Sequence, residues 1–320
     1  MTYQVFIDGE AGTTGLQVRD RLLAHPDIDL ITIDHDLRKD PSVRRDAMAA
    51  ADAVILCLPD EAAIEATELA AGLEVKIIDA STAYRTHPDW AYGFPELDRD
   101  QRAKIAGSAR ISNVGCYATA MIALIRPLID AKLITDDAQL NISAISGYTG
   151  GGKALINYMD EGQGTKHFAY ALSLAHKHIP EVMMHGRLKQ KPTFMPMVGD
   201  FDCGMMVQLP LTPSLLTSTI SRADIRDIYS AHYDGERFVK TCAIDAADGL
   251  TPQGYLAADG LKGTNMLELH TLGHDGGHDD ADGGQVMMVA RLDNLGKGAS
   301  GAAVQNLNLV LGLDESTSLI

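Results

Sequence analysis

Short apolar runs alternate with amphipathic stretches through the first third of the chain. Tyr3–Asp8 predicts a strand, Thr14–His25 a helix and Asp29–Asp34 a second strand. Ala53–Leu58 predicts a third strand closed by Pro59, Glu61–Ala71 a helix and Val75–Asp79 a fourth strand. Strands that are apolar on both faces, separated by helices, imply a parallel sheet covered on both sides. The predicted first domain is therefore α/β, a doubly wound parallel sheet.

After Cys116 the pattern changes. A helix is predicted from Cys116 to Lys132. Apolar or alternating runs follow at Leu140–Ser146, Thr193–Val198, Met205–Leu209, Met266–Leu272 and Gln285–Leu292. They predict a mixed or antiparallel sheet in an α+β second domain. Ala299–Leu311 closes the chain as an amphipathic helix.

Composition narrows the functional classes. The 320 residues are 46% hydrophobic and 22% charged, ordinary values for two globular domains. No apolar stretch reaches the ~18–20 residues of a membrane-spanning helix. Met1–Asp8 has no basic leader, so a cytoplasmic protein is expected. The net charge of −16 argues against nucleic-acid or anionic-membrane partners, and any anion site must be a local exception. Cys57, Cys116, Cys203 and Cys242 form no C-x-x-C pair, so neither structural zinc nor a disulfide framework is expected. His270, His274 and His278 stand in or beside a glycine-broken acidic tract, 274–284, which reads as an exposed loop ill suited to hold a metal, and none is expected.

Several motifs carry chemistry. Gly9, Gly12 and Gly15 give G-x-x-G-x-x-G between a strand and a helix, with Thr13 and Thr14 before the last glycine. Such a loop lets backbone N–H groups approach a dinucleotide pyrophosphate, although a tight turn would need the same glycines. Beyond the second strand, Asp34 would hold a ribose 2′-OH, whereas Arg38 and Lys39 would accommodate a 2′-phosphate. Both signals are present. Asn113-Val114-Gly115-Cys116 puts a cysteine at the start of a helix, whose dipole would lower a thiol pKa below the usual ~8.5 and favour nucleophilic attack on an acyl carbon. His176 and His178, just before Pro180, read as an extended pair able to move protons near neutral pH. Ser81 and Arg85 after the fourth strand, and Ser146, Gly147 and Lys153 in a strand-to-helix loop, are candidate anion binders.

Together these motifs, with Lys297–Asn306 near the C-terminus, resemble the short form of the N-acetyl-γ-glutamyl-phosphate reductases, over essentially the whole chain. Val114 and Ala118 stand where many members have proline, and neither position supplies a reacting group. The resemblance implies a Rossmann-like cofactor domain over 1–115, completed by 297–320, and a catalytic and oligomerisation domain over 116–296. It implies an NADP-linked oxidoreductase of arginine biosynthesis that turns N-acetylglutamyl 5-phosphate into the 5-semialdehyde and phosphate. Cys116 would be the nucleophile and His176 or His178 the acid–base group. Gly9, Gly12, Thr13, Thr14, Gly15, Arg38, Lys39 and Ser81 would face the cofactor. Arg85, Asn113, Ser146, Gly147 and Lys153 would face the substrate. A homo-oligomer is implied as well. Two other readings suit the same residues: a semialdehyde dehydrogenase for aspartate or carrier-bound aminoadipate, and a non-catalytic dinucleotide-binding redox sensor.

Overall fold

The computed structural model describes residues 2–247, 249–275 and 284–319. They form two compact units, one of residues 1–115 with 299–320 and the other of 116–298.

The first unit is built on a six-stranded sheet. Its elements are β1 (Tyr3–Asp8), α1 (Thr13–Leu23), β2 (Ile28–Ile31), α2 (Pro41–Ala50), β3 (Ala53–Leu56), α3 (Asp60–Leu69), β4 (Lys76–Asp79), β5 (Ala91–Gly93), α4 (Gln101–Gly107) and β6 (Arg110–Asn113). The order is β2-β1-β3-β4-β6-β5 and every pair is parallel. The central β3 is buried along its whole length, as an apolar strand between two helical layers must be. Phe6, Met48, Val54, Leu56, Ala63 and Ile77 fill one side of the sheet.

The second unit opens on α5 (Cys116–Asp130), which enters directly after Gly115. Then come β7 (Asn141–Gly147), α6 (Gly152–Asp160), β8 (His167–Ala169), α7 (Ile179–His185), β9 (Thr193–Gly199), β10 (Met205–Leu211), α8 (Arg222–His232), β11 (Val239–Thr241), β12 (Leu267–His274) and β13 (Gln285–Leu292). The seven-stranded sheet runs β11-β12-β13-β10-β7-β9-β8, with β7–β9 and β11–β12 parallel and the other pairs antiparallel. Burial alternates along β7 and β10, so one face packs into the core and the other is only part-covered. A π-helical turn at Gly296–Ser300 leads to α9 (Gly301–Leu311), which belongs to the first unit.

The doubly wound sheet and the mixed second sheet are as the hydrophobic pattern predicts. The differences lie in polar helices, in the short strands β5, β6, β8 and β11 that the pattern leaves unmarked, and in the segment before α7. In α8 only Ile225 and Tyr229 are buried, too weak an apolar stripe to read, although Ser221 and Asp224 form a capping box. The segment 176–178 is a turn rather than an extended run. His178 caps α7 with a helical φ, and Pro180 lies in the first turn, where its missing N–H leaves no bond unmade. His270 is buried within β12, while most of the acidic tract after it, His278 included, lies outside the described residues.

Candidate active site

In the first unit the chain turns sharply between β1 and α1. Gly9 has φ +87°, and a Cβ there would stand 2.5 Å from the Cys57 carbonyl oxygen. A Cβ on Gly15 would stand 2.5 Å from the Gly9 carbonyl oxygen. Both positions therefore require glycine. Gly12 caps α1 without a side chain, leaving the helix N-terminus open to an anion. Thr13 Oγ1 is buried there with no hydrogen-bond partner. Open amides, a bare backbone and an unpaired hydroxyl fit the pyrophosphate of a dinucleotide.

Asp8, which leads into this loop, is buried and paired with Arg44 from α2, whose Nη2 and Nε donate to Oδ2 at 2.8 and 3.1 Å. Burial raises the Asp8 pKa even against Arg44. Arg44 also reaches Glu65 of α3 at 3.0 Å, tying three elements together beneath the loop. Beyond β2, Asp34 Oδ1 accepts from the Asp36 N–H and so caps the following turn. Arg38 donates to the His35 carbonyl at 2.6 Å, and both Arg38 and Lys39 are exposed.

At the end of β4, Ser81 Oγ donates to Asp79 Oδ2 at 2.6 Å, and the Ser81 N–H donates to Oδ1. Burial pushes Asp79 up to about 6, opposed by these two bonds and by Arg85. Arg85 is buried and donates to the carbonyls of Asn113 and Ala80. The Asn113 amide is committed internally: Nδ2 donates to the Ala299 carbonyl and Oδ1 accepts from Asn306 of α9. Asn113 thus fastens the C-terminal helix to β6.

In the second unit Cys116 is the first residue of α5 and is part-exposed. A Cβ on Gly298 would stand 2.7 Å from Cys116 Cβ, so only glycine lets this backbone pass the thiol-bearing carbon. Tyr117 follows at once, its hydroxyl donating to the Met197 carbonyl at 3.0 Å. Its ring centroid lies 5.7 Å from His176 and 6.4 Å from His178, and the two imidazole centroids are 4.7 Å apart. The His178 N–H donates to His176 Nδ1, and His176 Nε2 meets the Tyr170 hydroxyl at 3.3 Å. Burial raises the Tyr170 pKa, and the neighbouring Cys116 thiolate adds to it. The fold therefore gathers one cysteine, two histidines and two tyrosines, a set able to attack an acyl carbon and to move protons.

The β7–α6 loop is pinned from below. Asn294 Nδ2 donates to Thr149 Oγ1 at 3.0 Å, while its Oδ1 accepts from the Gly204 N–H at 2.7 Å. Gly147 approaches Asp202 too closely to carry a side chain. Ser146 is buried, its hydroxyl donating to the Gly147 carbonyl, and Lys153 stands exposed on α6.

Residues 4–105 match the semialdehyde dehydrogenase NAD binding domain, and residues 116–294 the semialdehyde dehydrogenase dimerisation domain. The N-acetyl-gamma-glutamyl-phosphate reductase of Brucella anthropi is 46% identical over 98% of this chain and 99% of its own length. That of Brucella ovis is equally similar over 98% of this chain and all of its own. The chain belongs to the N-acetyl-gamma-glutamyl-phosphate reductase family. Aspartate semialdehyde dehydrogenases share its fold at far lower identity. The Francisella tularensis structure gives a TM-score of 0.72 at 14% identity, covering 97% of this chain and 100% of that one. The Candida albicans structure, determined with NADP, gives 0.66 at 14% identity, covering 97% and 99%.

Sequence reading of this N-acetyl-gamma-glutamyl-phosphate reductase family member missed the Asp8–Arg44 pair, Tyr170, Asn294 and the closeness of Gly298 to Cys116. Only Gly298 had a visible signal, in the Lys297–Asn306 stretch.

Proposed function

We propose that the chain reduces N-acetyl-L-glutamyl 5-phosphate to N-acetyl-L-glutamate 5-semialdehyde and phosphate, with NADPH, as a step of arginine biosynthesis. One observation carries the chemistry: Cys116 opens a helix in the same unit that sets His176 and His178 beside Tyr117. The 46% identity to reductases over nearly the whole chain supports the substrate.

In this reading the Cys116 thiolate attacks the acyl carbon, a C–S bond forms and phosphate departs, leaving a thioester. Bound NADPH supplies the hydride that the thioester carbon accepts. One histidine protonates the resulting oxyanion and takes the proton back as the C–S bond breaks and the thiolate is restored. His178 is that carrier. His176 Nδ1 already accepts the His178 backbone N–H, so protonating it would set two N–H groups against each other. His176 instead presents Nε2–H toward Tyr170 and orients the pair.

Gly9, Gly12, Thr13, Thr14 and Gly15 hold the cofactor pyrophosphate, Arg38 and Lys39 its 2′-phosphate, and Ser81 lines its path. Arg85, Ser146, Gly147 and Lys153 take the substrate's anionic groups. A free-thiol catalyst suits a reducing cytoplasm; no helix among the described residues is long and apolar enough to cross a membrane.

The part-covered face of the second sheet, where Met195 is 46% exposed, is the surface for a homo-oligomer. The match to a dimerisation domain supports it.

The deciding experiment is phosphate-dependent reduction of NADP by N-acetylglutamate 5-semialdehyde, with aspartate and aminoadipate semialdehydes as controls. Turnover of the acetylated substrate alone is expected. Faster turnover of a control would move the chain to another semialdehyde dehydrogenase. No turnover of any, with Cys116 alkylation leaving dinucleotide binding unchanged, would favour a sensor.

A further inference from the structure

The second unit buries a second convergent cluster that the reductase chemistry does not use. Cys242 follows β11, and its N–H donates to the Leu269 carbonyl, which draws it against β12. Glu268 and His270 are two residues apart on β12 and so share a face. Cys242 Sγ lies 3.7 Å from His270 Nε2, and the same nitrogen lies 3.5 Å from Glu268 Oε2. One ligand atom from each of the three lies within 4.8 Å of the others, and all three residues are buried.

One imidazole nitrogen faces both neighbours, at spacings that also suit a metal. A single imidazole nitrogen has either one proton or one lone pair, so it cannot serve both neighbours. At 3.5 Å its contact with the carboxylate is at the long limit of a hydrogen bond. Around a tetrahedral Zn²⁺, with Zn–S about 2.3 Å and Zn–N or Zn–O about 2.0–2.1 Å, ligand atoms stand about 3.3–3.6 Å apart. The sulfur–nitrogen and nitrogen–oxygen separations of 3.7 and 3.5 Å are within a few tenths of an ångström of those edges.

We propose that Cys242, Glu268 and His270 hold a Zn²⁺ ion, with a water as its fourth ligand, that ties the end of β11 to β12.

The surroundings support this donor set. Arg291 Nε donates to Glu268 Oε2 at 3.2 Å, its Nη2 bonds the same oxygen, and Lys240 Nζ stands 3.5 Å from Oε1. These cations hold the Glu268 carboxylate in place as an anionic donor. Arg291 also donates to the carbonyls of Gly249 and Ala257, which fixes it behind the carboxylate as outer support. Charge selects the metal. Thiolate and carboxylate together cancel a dication, so Arg291 faces no net positive centre. A hard cation such as Mg²⁺ would not recruit the thiolate and would leave that repulsion uncancelled. Binding releases the Cys242 thiol proton to solvent, forms S–Zn, N–Zn and O–Zn bonds, and oxidises nothing.

The test uses the full chain carrying Cys116→Ser, so that the active-site thiol contributes no metal ligand. After EDTA treatment, zinc is added, excess is removed by gel filtration, and retained metal is measured. One equivalent per chain is expected, falling at least tenfold when Cys242→Ser or His270→Phe is added. Cobalt in place of zinc should give a thiolate-to-metal charge-transfer band that Cys242→Ser abolishes. If His270→Phe fails to fold, the near-isosteric Cys242→Ser still decides the matter. Retention of no zinc by the Cys116→Ser chain, or a full equivalent kept by the Cys242→Ser protein, would overturn the site. Neither outcome bears on the reductase reading.

Discussion

The backbone N–H of His178 donates to Nδ1 of His176 at 3.1 Å, and this one bond makes two otherwise similar histidines unequal. His176 can exchange a proton only at Nε2, toward Tyr170, whereas the bond engages His178 through its backbone. His178→Asn should therefore lower kcat by ~10²–10⁴-fold and flatten one limb of the pH profile. In His176→Asn the amide oxygen can replace Nδ1 as acceptor, so its main effect should be a higher KM. The reverse pattern in steady-state pH profiles would exchange the roles.

The four thiols should separate by reactivity. Burial, with the charges of Asp79 and Asp8, pushes Cys57 up to about 12, and burial also raises Cys203. Cys242 is buried. Iodoacetamide at neutral pH should label Cys116 first, and peptide mapping against time would show it. Cys116→Ser should leave NADP affinity unchanged and remove turnover by several orders of magnitude, since a serine offers no thiolate. Gly298→Ala should lower kcat without changing NADP affinity, because the new methyl must displace Cys116. A normal kcat for Gly298→Ala would mean that the thiol need not sit where it does.

Much of this arrangement is legible in the chain, for a physical reason. Buried strands such as Val54–Leu56 are apolar throughout, and Gly9 and Gly15 stand where no side chain fits, so burial and sterics write themselves into residue type. The helix start at Cys116 follows from the same logic. Long-range polar pairings leave no such mark. Nothing in the sequence marks Arg44, yet it crosses to Asp8 and Glu65. The bonds of the Asn113 amide to Ala299 and Asn306, far along the chain, likewise have no mark in the sequence. The histidine segment reads as extended because Pro180 disfavours a helix before it, whereas the helix begins at Ile179 and the proline falls in its first turn.

Cofactor choice should rest on the turn after β2. Asp34 spends Oδ1 on the Asp36 N–H, so its pull on a ribose hydroxyl is divided, while Arg38 and Lys39 stand exposed beside it. Replacing both cations by alanine should weaken NADP ~10–100-fold with little change for NAD, as expected for losing charge-assisted bonds to a 2′-phosphate. Fluorescence titration of both nucleotides would measure it. Equal losses would place the phosphate elsewhere.

Asp79 should make stability fall as pH rises. Its carboxyl is fully buried, and burial raises it from 3.8 to about 6 in the folded chain, opposed only in part by Ser81 and Arg85. Between those values the folded state holds a proton that the unfolded state has released, so unfolding becomes easier with increasing pH. The stabilising contribution is complete below about pH 4 and is lost as pH passes about 6, a change on the order of 3 kcal/mol. Asp79→Asn keeps an uncharged group there at every pH. It should match or trail the native protein in mildly acidic solution, where the native Ser81 bonds are intact. It should gain on the native protein from about pH 4 to about pH 6 and keep a constant advantage from about pH 7 to pH 8. Urea midpoints of both proteins across that range give the comparison directly, because every other titrating group is common to the two and cancels. A constant difference between them would show that Asp79 is ionised throughout, with Ser81 and Arg85 outweighing burial.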